Sequence, residues 1–168
     1  MNKKVMTYQY ASEVIGESKK AKNENNDCFV RAISTATGST YDSAHSFVKD
    51  NFGRVDKKGT FVELNLQPNL KSHTVDGITF ELSKVSKPSI TNTYKLYGEL
   101  VHRQKTVKSF IKDNQKGTYI VLVSKHAFTV KDGVLIDNKG MEFKPTRKVT
   151  GAIKVSVDSP VDTQLSLF

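Results

Sequence analysis

Apolar residues recur at helical spacing in two adjacent segments near the start of the chain. In NNDCFVRAISTATG they share one helical face, with Asp27 as a plausible N-cap and Gly38 after the last turn. In STYDSAHSFVKDNFG the same spacing predicts a second helix, capped by Ser39 or Thr40 and ended by a glycine. The pattern predicts two antiparallel helices joined by a tight turn, with Cys28 in the first turn of the first helix.

Strand patterns dominate the second half of the chain. KTVKSFIKDNQKG predicts a helix between Thr106 and Gly117, and TYIVLVS, apolar on both faces, is typical of a central strand. HAFTVKDGVLID predicts a hairpin around a two-residue turn at Asp132 and Gly133, and GAIKVSV predicts a last strand. Between residues 54 and 105 the pattern is weak, with GITFELSKV as a candidate strand. Helices followed by strands predict an α+β fold, with N-terminal helices packed on an antiparallel sheet.

Composition shifts divide the chain into three predicted parts. Residues 1–22 end in the charge-rich ESKKAKN and are expected to form a polar N-terminal arm. Residues 23–157 form one predicted domain, since 168 residues favour a single core. Pro160 and its polar neighbours follow the last strand, so residues 158–168 are expected to extend from the domain as a flexible tail.

The net charge indicates which kinds of partner the chain could bind, and the number of cysteines indicates the cellular compartment. Twenty-six Lys and Arg against seventeen Asp and Glu give a net charge of +9, which favours contact with nucleic acid or an acidic protein. No helix-turn-helix, zinc or RNA-reading motif accompanies this charge, so we rank DNA contact as secondary. One cysteine cannot form an internal disulfide, and neither a signal-peptide core nor an apolar run of membrane-spanning length is found. We therefore expect a cytoplasmic protein without a membrane partner.

Cys28 is the candidate nucleophile because unpaired backbone N–H groups at a helix N-terminus favour a thiolate there. A thiol also needs a base, and His126 opens the strand that leads into the predicted hairpin. If the hairpin loop has two residues, Asp137 projects on the same face as His126, as its diagonal neighbour across the strand pair. A three-residue loop would select Asn138 instead.

The other histidines do not suggest a metal centre. His45, His73 and His102 have no metal-ligand spacing with one another or with Cys28, so we predict no metal and no cofactor. Each member of the Cys–His–Asp set also has a structural alternative. Cys28 could be a packed small residue, and His126 could simply end a buried strand.

The order cysteine, histidine, aspartate, with the cysteine heading a helix and the others on a later sheet, resembles the papain-like cysteine peptidase superfamily. DCFVRAISTATGSTYDSAH followed by KGTYIVLVSKHAFTVKDGVLIDN is similar to small papain-fold proteins of bacteriophages and bacteria, over roughly residues 23–140. The resemblance implies a papain-like fold, with Cys28 as nucleophile, His126 as general base and Asp137 orienting the imidazole.

Papain-like enzymes also place a side-chain amide, usually glutamine, a few residues before the cysteine to stabilise the oxyanion. The corresponding stretch KNENND has no glutamine. By resemblance, the oxyanion candidates are Asn23, Asn25 and Asn26, together with the backbone N–H of Cys28.

The last five residues, QLSLF, resemble the pentapeptide by which bacterial polymerases and repair proteins dock on the sliding clamp. The resemblance implies that Leu165, Leu167 and Phe168 fill an apolar pocket of the clamp. Gln164 would make the polar contact, and Ser166 would be the small spacer. The expected partner is the bacterial β sliding clamp, the DNA polymerase III beta subunit.

Taken together, the two resemblances imply a papain-fold thiol hydrolase of phage or bacterial origin, with a protein as the expected substrate, which its tail recruits to the clamp in a bacterial host cell. The alternative is a catalytically lapsed papain-fold protein that occupies the clamp and modulates or inhibits host DNA replication. A nucleic-acid binder carried by charge alone ranks last.

Overall fold

Short helices and strands alternate along the computed structural model, in which the described residues are 7–16, 18–138 and 144–158. The helices are α1 (Ala11–Ile15), α2 (Lys19–Lys22), α3 (Cys28–Thr37), α4 (Tyr41–Phe52), α5 (Val62–Leu66), α6 (Lys87–Ile90) and α7 (Val107–Asp113). The strands are β1 (Tyr8–Tyr10), β2 (Ser72–Val75), β3 (Ile78–Lys84), β4 (Thr91–Leu96), β5 (Glu99–Gln104), β6 (Thr118–Val123), β7 (His126–Lys131), β8 (Val134–Asp137) and β9 (Gly151–Val157). The α+β class expected from the sequence is confirmed.

Seven strands form the main sheet in the order β1-β8-β7-β6-β9-β3-β2, and β4 pairs with β5 in a separate hairpin. The apolar strand β6 lies at the centre, as predicted. The expectation of a wholly antiparallel sheet is wrong at one edge, where β1 runs parallel to β8 with Tyr8 opposite Leu135. The reason is that the β7–β8 hairpin leaves one edge of β8 unpaired, and the tyrosine-rich start of the chain supplies a strand to cover it.

Helices α3 and α4 begin and end where their sequences predicted. Helix α3 begins at Cys28 after Asp27 and ends at Gly38, which adopts the left-handed conformation. Helix α4 follows Thr40, whose hydroxyl accepts a hydrogen bond from the Ser43 backbone N–H. These predicted bounds are confirmed. Helix α7 is shorter than predicted, because Asn114 already leaves the helical conformation.

Two apolar clusters cover the two faces of the sheet. One joins α3 and α4 to side chains of β3, β6 and β9, and its largest fully buried members include Phe29, Tyr41, Phe52 and Phe80. The other joins α7 to the opposite face of β6, β7 and β8, with Phe110 fully buried. Helix α3 therefore packs directly on the sheet with its N-terminus near one end of the strands.

The predicted N-terminal arm, residues 1–22, contains ordered structure in its described part. Residues 8–10 form the edge strand β1, while the side chains of Ala11 and Ala21 are buried. The predicted tail, including Gln164–Phe168, lies outside the described residues. Among the residues that are described, no helix has both the length and the apolar character needed to cross a membrane.

Candidate active site

The β7–β8 hairpin decides which polar residue shares a face with His126. Val130 lies opposite Leu135 and Lys131 opposite Val134, so Asp132 and Gly133 form a two-residue loop. Both loop residues have positive φ, 48° and 79°, as tight hairpin turns of this length require. The predicted turn is confirmed, and its register carries Asp137 to the face of His126.

The imidazole of His126 and the carboxylate of Asp137 are directly hydrogen-bonded. Nε2 of His126 lies 2.8 Å from Oδ1 and 2.9 Å from Oδ2 of Asp137. The carboxylate also accepts a hydrogen bond of 2.7 Å from the Asn138 backbone N–H. Both side chains are largely buried, with 5% and 11% of their surfaces exposed. Because Nε2 is occupied, Nδ1 is the ring nitrogen left to serve a reacting group.

The side chain of Cys28 lies close to the hydrogen-bonded pair of His126 and Asp137. It is partly exposed and packs beside the apolar cluster of α3. His126 is in register with Val123, a member of the cluster on the opposite face. Its imidazole nevertheless interacts with the Cys28 side chain. The thiol and the imidazole therefore lie close together where β7 begins.

The surroundings of His126 favour its charged form. Burial alone would lower the pKa of His126, but the hydrogen bond to Asp137 and the interaction with Cys28 outweigh burial and raise this pKa to about 9. The imidazole is therefore an imidazolium at neutral pH. A positive charge therefore lies beside the Cys28 side chain.

Asp27, the residue before the cysteine, is committed to other partners. Its carboxylate accepts hydrogen bonds from Arg31 Nε at 2.9 Å and from the Tyr41 hydroxyl at 2.7 Å, and makes no side-chain cap to α3. Burial and the contact with Asp27 raise the pKa of Tyr41, so this phenol stays protonated and donates. The N–H groups of the first turn of α3 are thus not capped by the Asp27 side chain.

The three asparagines proposed to stabilise the oxyanion differ in their hydrogen-bond partners. Asn23 ends α2, and all three asparagines are exposed. The Asn26 amide donates to the Lys57 backbone carbonyl at 3.2 Å, and its backbone is left-handed with φ of 54°. Asn26 is therefore directed to another loop, while Asn23 and Asn25 stay predictions for the oxyanion.

Arg54 is an important residue that sequence reasoning missed. Its side chain is 0% exposed and donates from Nη2 to Glu24 Oε2 at 2.7 Å and to the Asn25 carbonyl at 3.1 Å. Nη1 donates to the Asn26 carbonyl at 3.0 Å and to the Lys58 carbonyl at 2.6 Å. One guanidinium thus fixes the loop that runs into the candidate nucleophile. No local pattern marks this arginine, because its partners other than Lys58 lie about thirty residues earlier in the chain.

Glu24 also lies beside a histidine and an aspartate, side chains of the kinds that bind metal ions, although the sequence spacing did not suggest such a cluster. His45 Nε2 lies 3.2 Å from Glu24 Oε1 and 3.6 Å from Asp56 Oδ1. Burial opposes charge on Glu24, but hydrogen bonds from the Lys57 backbone N–H, Arg54 and His45 hold the pKa of this carboxyl below its usual range. Since Arg54 already neutralises Glu24, we read this cluster as an ion-pair network and assign no metal to it.

Comparison with known proteins gave no match: no family model fits the chain, and neither the curated proteins nor the solved structures contain a significant relative. Function must therefore be argued from the chain's own residues.

Proposed function

We propose that the chain is a papain-like thiol hydrolase whose nucleophile is Cys28, whose acid and base is His126, and whose orienting carboxylate is Asp137. The observation that carries the proposal is the assembly of these three side chains from three separate elements, α3, β7 and β8. A cysteine that only packs in the core would not require a neighbouring imidazolium, or a carboxylate hydrogen-bonded to that imidazolium.

The proposed reaction begins with attack of the Cys28 thiolate on a substrate carbonyl carbon, forming a C–S bond and an oxyanion. His126 donates its Nδ1 proton to the leaving group as the tetrahedral carbon collapses to a thioester. The neutral imidazole then takes a proton from water, which attacks the thioester and releases the acid, restoring thiolate and imidazolium. Asp137 holds the ring through Nε2 in both steps.

An activated ester tests the proposal without knowledge of the natural substrate. With 4-nitrophenyl acetate, we expect a rapid release of about one 4-nitrophenolate per chain, followed by slower turnover. Mass spectrometry should find the acetyl group on Cys28. If the chain reacts no faster than a short cysteine peptide at the same pH, it is not a thiol hydrolase.

We further propose that the QLSLF tail recruits the chain to the β sliding clamp in a bacterial cytoplasm. The support is the sequence match at all five positions, Gln164–Phe168.

Replacing Leu167 and Phe168 with alanine should weaken binding to purified clamp by at least about 2 kcal/mol, or roughly 30-fold in Kd, because such side chains are interface hot spots. Isothermal titration calorimetry would measure the change. The matched control changes Val161 and Thr163 to alanine in the same tail and should bind as the parent does. Equal affinity of all three proteins, or no binding by any, would refute the recruitment.

A second candidate is a chain that keeps this fold but no longer turns over substrate, and acts by occupying the clamp. The engagement of the Asn26 amide by Lys57 favours it, since one oxyanion donor is then lost. A chain that binds the clamp tightly but gives no nitrophenolate burst would support this candidate over the hydrolase.

A further inference from the structure

A cavity of about 520 Å³ opens between α5, α6 and the ends of β3, β6 and β9. Its apolar lining comes from Leu66, Val85, Ile90, Leu122 and Ala152. A volume of this size admits one or two bulky side chains or a small molecule and is too small for a folded domain.

The cavity borders the end of the sheet that carries the candidate active site. Leu122 lines it and pairs with Ala127 across the β6–β7 hairpin, and the next pair along is Val123 with His126. Gly151, which pairs with Leu122 on the other side, lines it as well. A ligand seated in the cavity thus lies beside the strand pair that presents the imidazole.

Exposed apolar side chains lie next to the cavity and on the hairpin that follows α6. Next to it, α5 and its preceding residue expose Leu64 and Phe61, which are 81% and 74% accessible. Ile90 leads from the cavity into the β4–β5 hairpin, whose tip exposes Leu96, Tyr97 and Leu100. Of the nine exposed large apolar side chains in the described ranges, Phe61 and Leu64 are the two that lie next to the cavity, and apolar exposure of this kind is typical of a surface that receives a ligand.

The charges at the mouth of the cavity are asymmetric. Lys84 and Lys87 lie on the wall formed by the end of β3 and the start of α6, and both are exposed. Glu63 is on the opposite wall. No ion pair joins either lysine to a carboxylate of the described residues. Two such ammonium groups would favour an acidic group on the ligand.

We infer that this cavity and the exposed apolar side chains next to it form a cleft for an extended polypeptide segment that carries a bulky apolar side chain next to an acidic one. The inference rests on the proposed hydrolase, for which it names the substrate class. The apolar side chain would fill the cavity, the acidic one would face Lys84 and Lys87, and the segment would continue toward Cys28.

Binding can be measured apart from turnover in the full-length Cys28→Ala chain. The probes are three fluorescein-labelled ten-residue peptides that differ only at their centre, Asp-Leu-Phe, Lys-Leu-Phe or Asp-Ser-Ser. Fluorescence anisotropy should give the tightest binding for Asp-Leu-Phe, by at least tenfold over each of the others. Equal affinities for the three would overturn the assignment.

Variants then locate the binding site. Ser86→Trp places an indole at the cavity mouth and should weaken binding of the Asp-Leu-Phe peptide at least tenfold. The matched control is Ser46→Trp, which lines a separate open cavity beside α4 and should leave affinity unchanged. Lys87→Glu should reverse the order of the Asp-Leu-Phe and Lys-Leu-Phe peptides. If Ser86→Trp binds the first peptide as tightly as Ser46→Trp does, the cleft is not the site.

The nitrophenolate burst of the parent chain separates the two proposals. If the parent chain gives a burst but the Cys28→Ala chain binds the three peptides equally, the cleft assignment is wrong and the hydrolase proposal stands. If the Cys28→Ala chain binds the peptides selectively but the parent gives no burst, the cleft binds peptides and the hydrolase proposal is wrong. The chain's own tail is a rival occupant. If the Asp-Leu-Phe peptide binds only when Leu165, Leu167 and Phe168 are all alanine, the tail fills the cleft and the substrate assignment is overturned.

Discussion

Replacing Cys28 with alanine is expected to abolish the nitrophenolate burst, and His126→Ala to slow it by roughly 10²–10⁴-fold, the usual contribution of a positioned general acid–base residue. Asp137→Asn should retain a trace, because an amide can still contact Nε2 but orients the ring imperfectly. Stopped-flow absorbance of the released 4-nitrophenolate would measure all three rates.

Two controls accompany these variants: the unfolding midpoint of each variant, and the substitution of a histidine far from the site. Cys28 is partly exposed, so its alanine variant should unfold at nearly the parent's midpoint. His102→Ala removes an exposed histidine that hydrogen-bonds Thr93 on the β4–β5 hairpin, and it should keep the full burst. A Cys28→Ala chain that still gives the burst would eliminate the mechanism. A loss of several kcal/mol of stability in that variant would favour the packed-cysteine interpretation.

The second large effect concerns stability. Arg54→Met should lower the free energy of unfolding by about 3–5 kcal/mol, the cost of breaking a buried ion pair by removing one partner. Glu24 would be left buried with one charge partner fewer, and the carbonyls of residues 25, 26 and 58 would lose their shared donor. Urea unfolding followed by circular dichroism would measure the change.

Arg103→Met is the matched control for this substitution. Arg103 is exposed on the β4–β5 hairpin and stacks over the Tyr94 ring at 5.4 Å, so its loss should cost no more than about 1 kcal/mol. Combining Glu24→Gln with Arg54→Met should cost less than the sum of the single changes, because the two residues share one interaction. Strict additivity, or an Arg54→Met chain as stable as Arg103→Met, would show that the network does not hold the loop.

Local signals explain why much of the fold could be predicted. The helices around Cys28 and Tyr41 carry their caps and apolar spacing within a dozen residues, and the turn at Asp132 is determined by two residues in left-handed conformations. Because strand geometry alternates with a period of two, the turn length alone was enough to place Asp137 on the face of His126. The hydrogen bond between them could thus be anticipated from the hairpin.

Features that depend on contacts between distant segments could not be predicted in this way. Arg54 is an isolated charge in a loop, and nothing near it in sequence reveals that it is fully buried against Glu24. The edge strand at Tyr8 joins β8 only because the sheet leaves that edge open, and its sequence reads as a polar arm. The cavity requires five elements, α5, β3, α6, β6 and β9, to converge, so no single stretch of sequence signals it.

The proposed mechanism depends on a charged pair of Cys28 and His126, which the pH dependence of Cys28 alkylation would reveal. An ordinary thiol reacts about tenfold faster per pH unit up to pH ~8.5, because only the thiolate reacts. Since the pKa of His126 is raised to about 9, the imidazolium persists through neutral pH, and the proposed mechanism requires Cys28 to react as a thiolate beside it. The iodoacetamide rate of the parent should therefore be nearly flat from pH 6.5 to 8.5, while His126→Ala should show the ordinary tenfold rise per unit. A parent chain with that same rise would contradict the account.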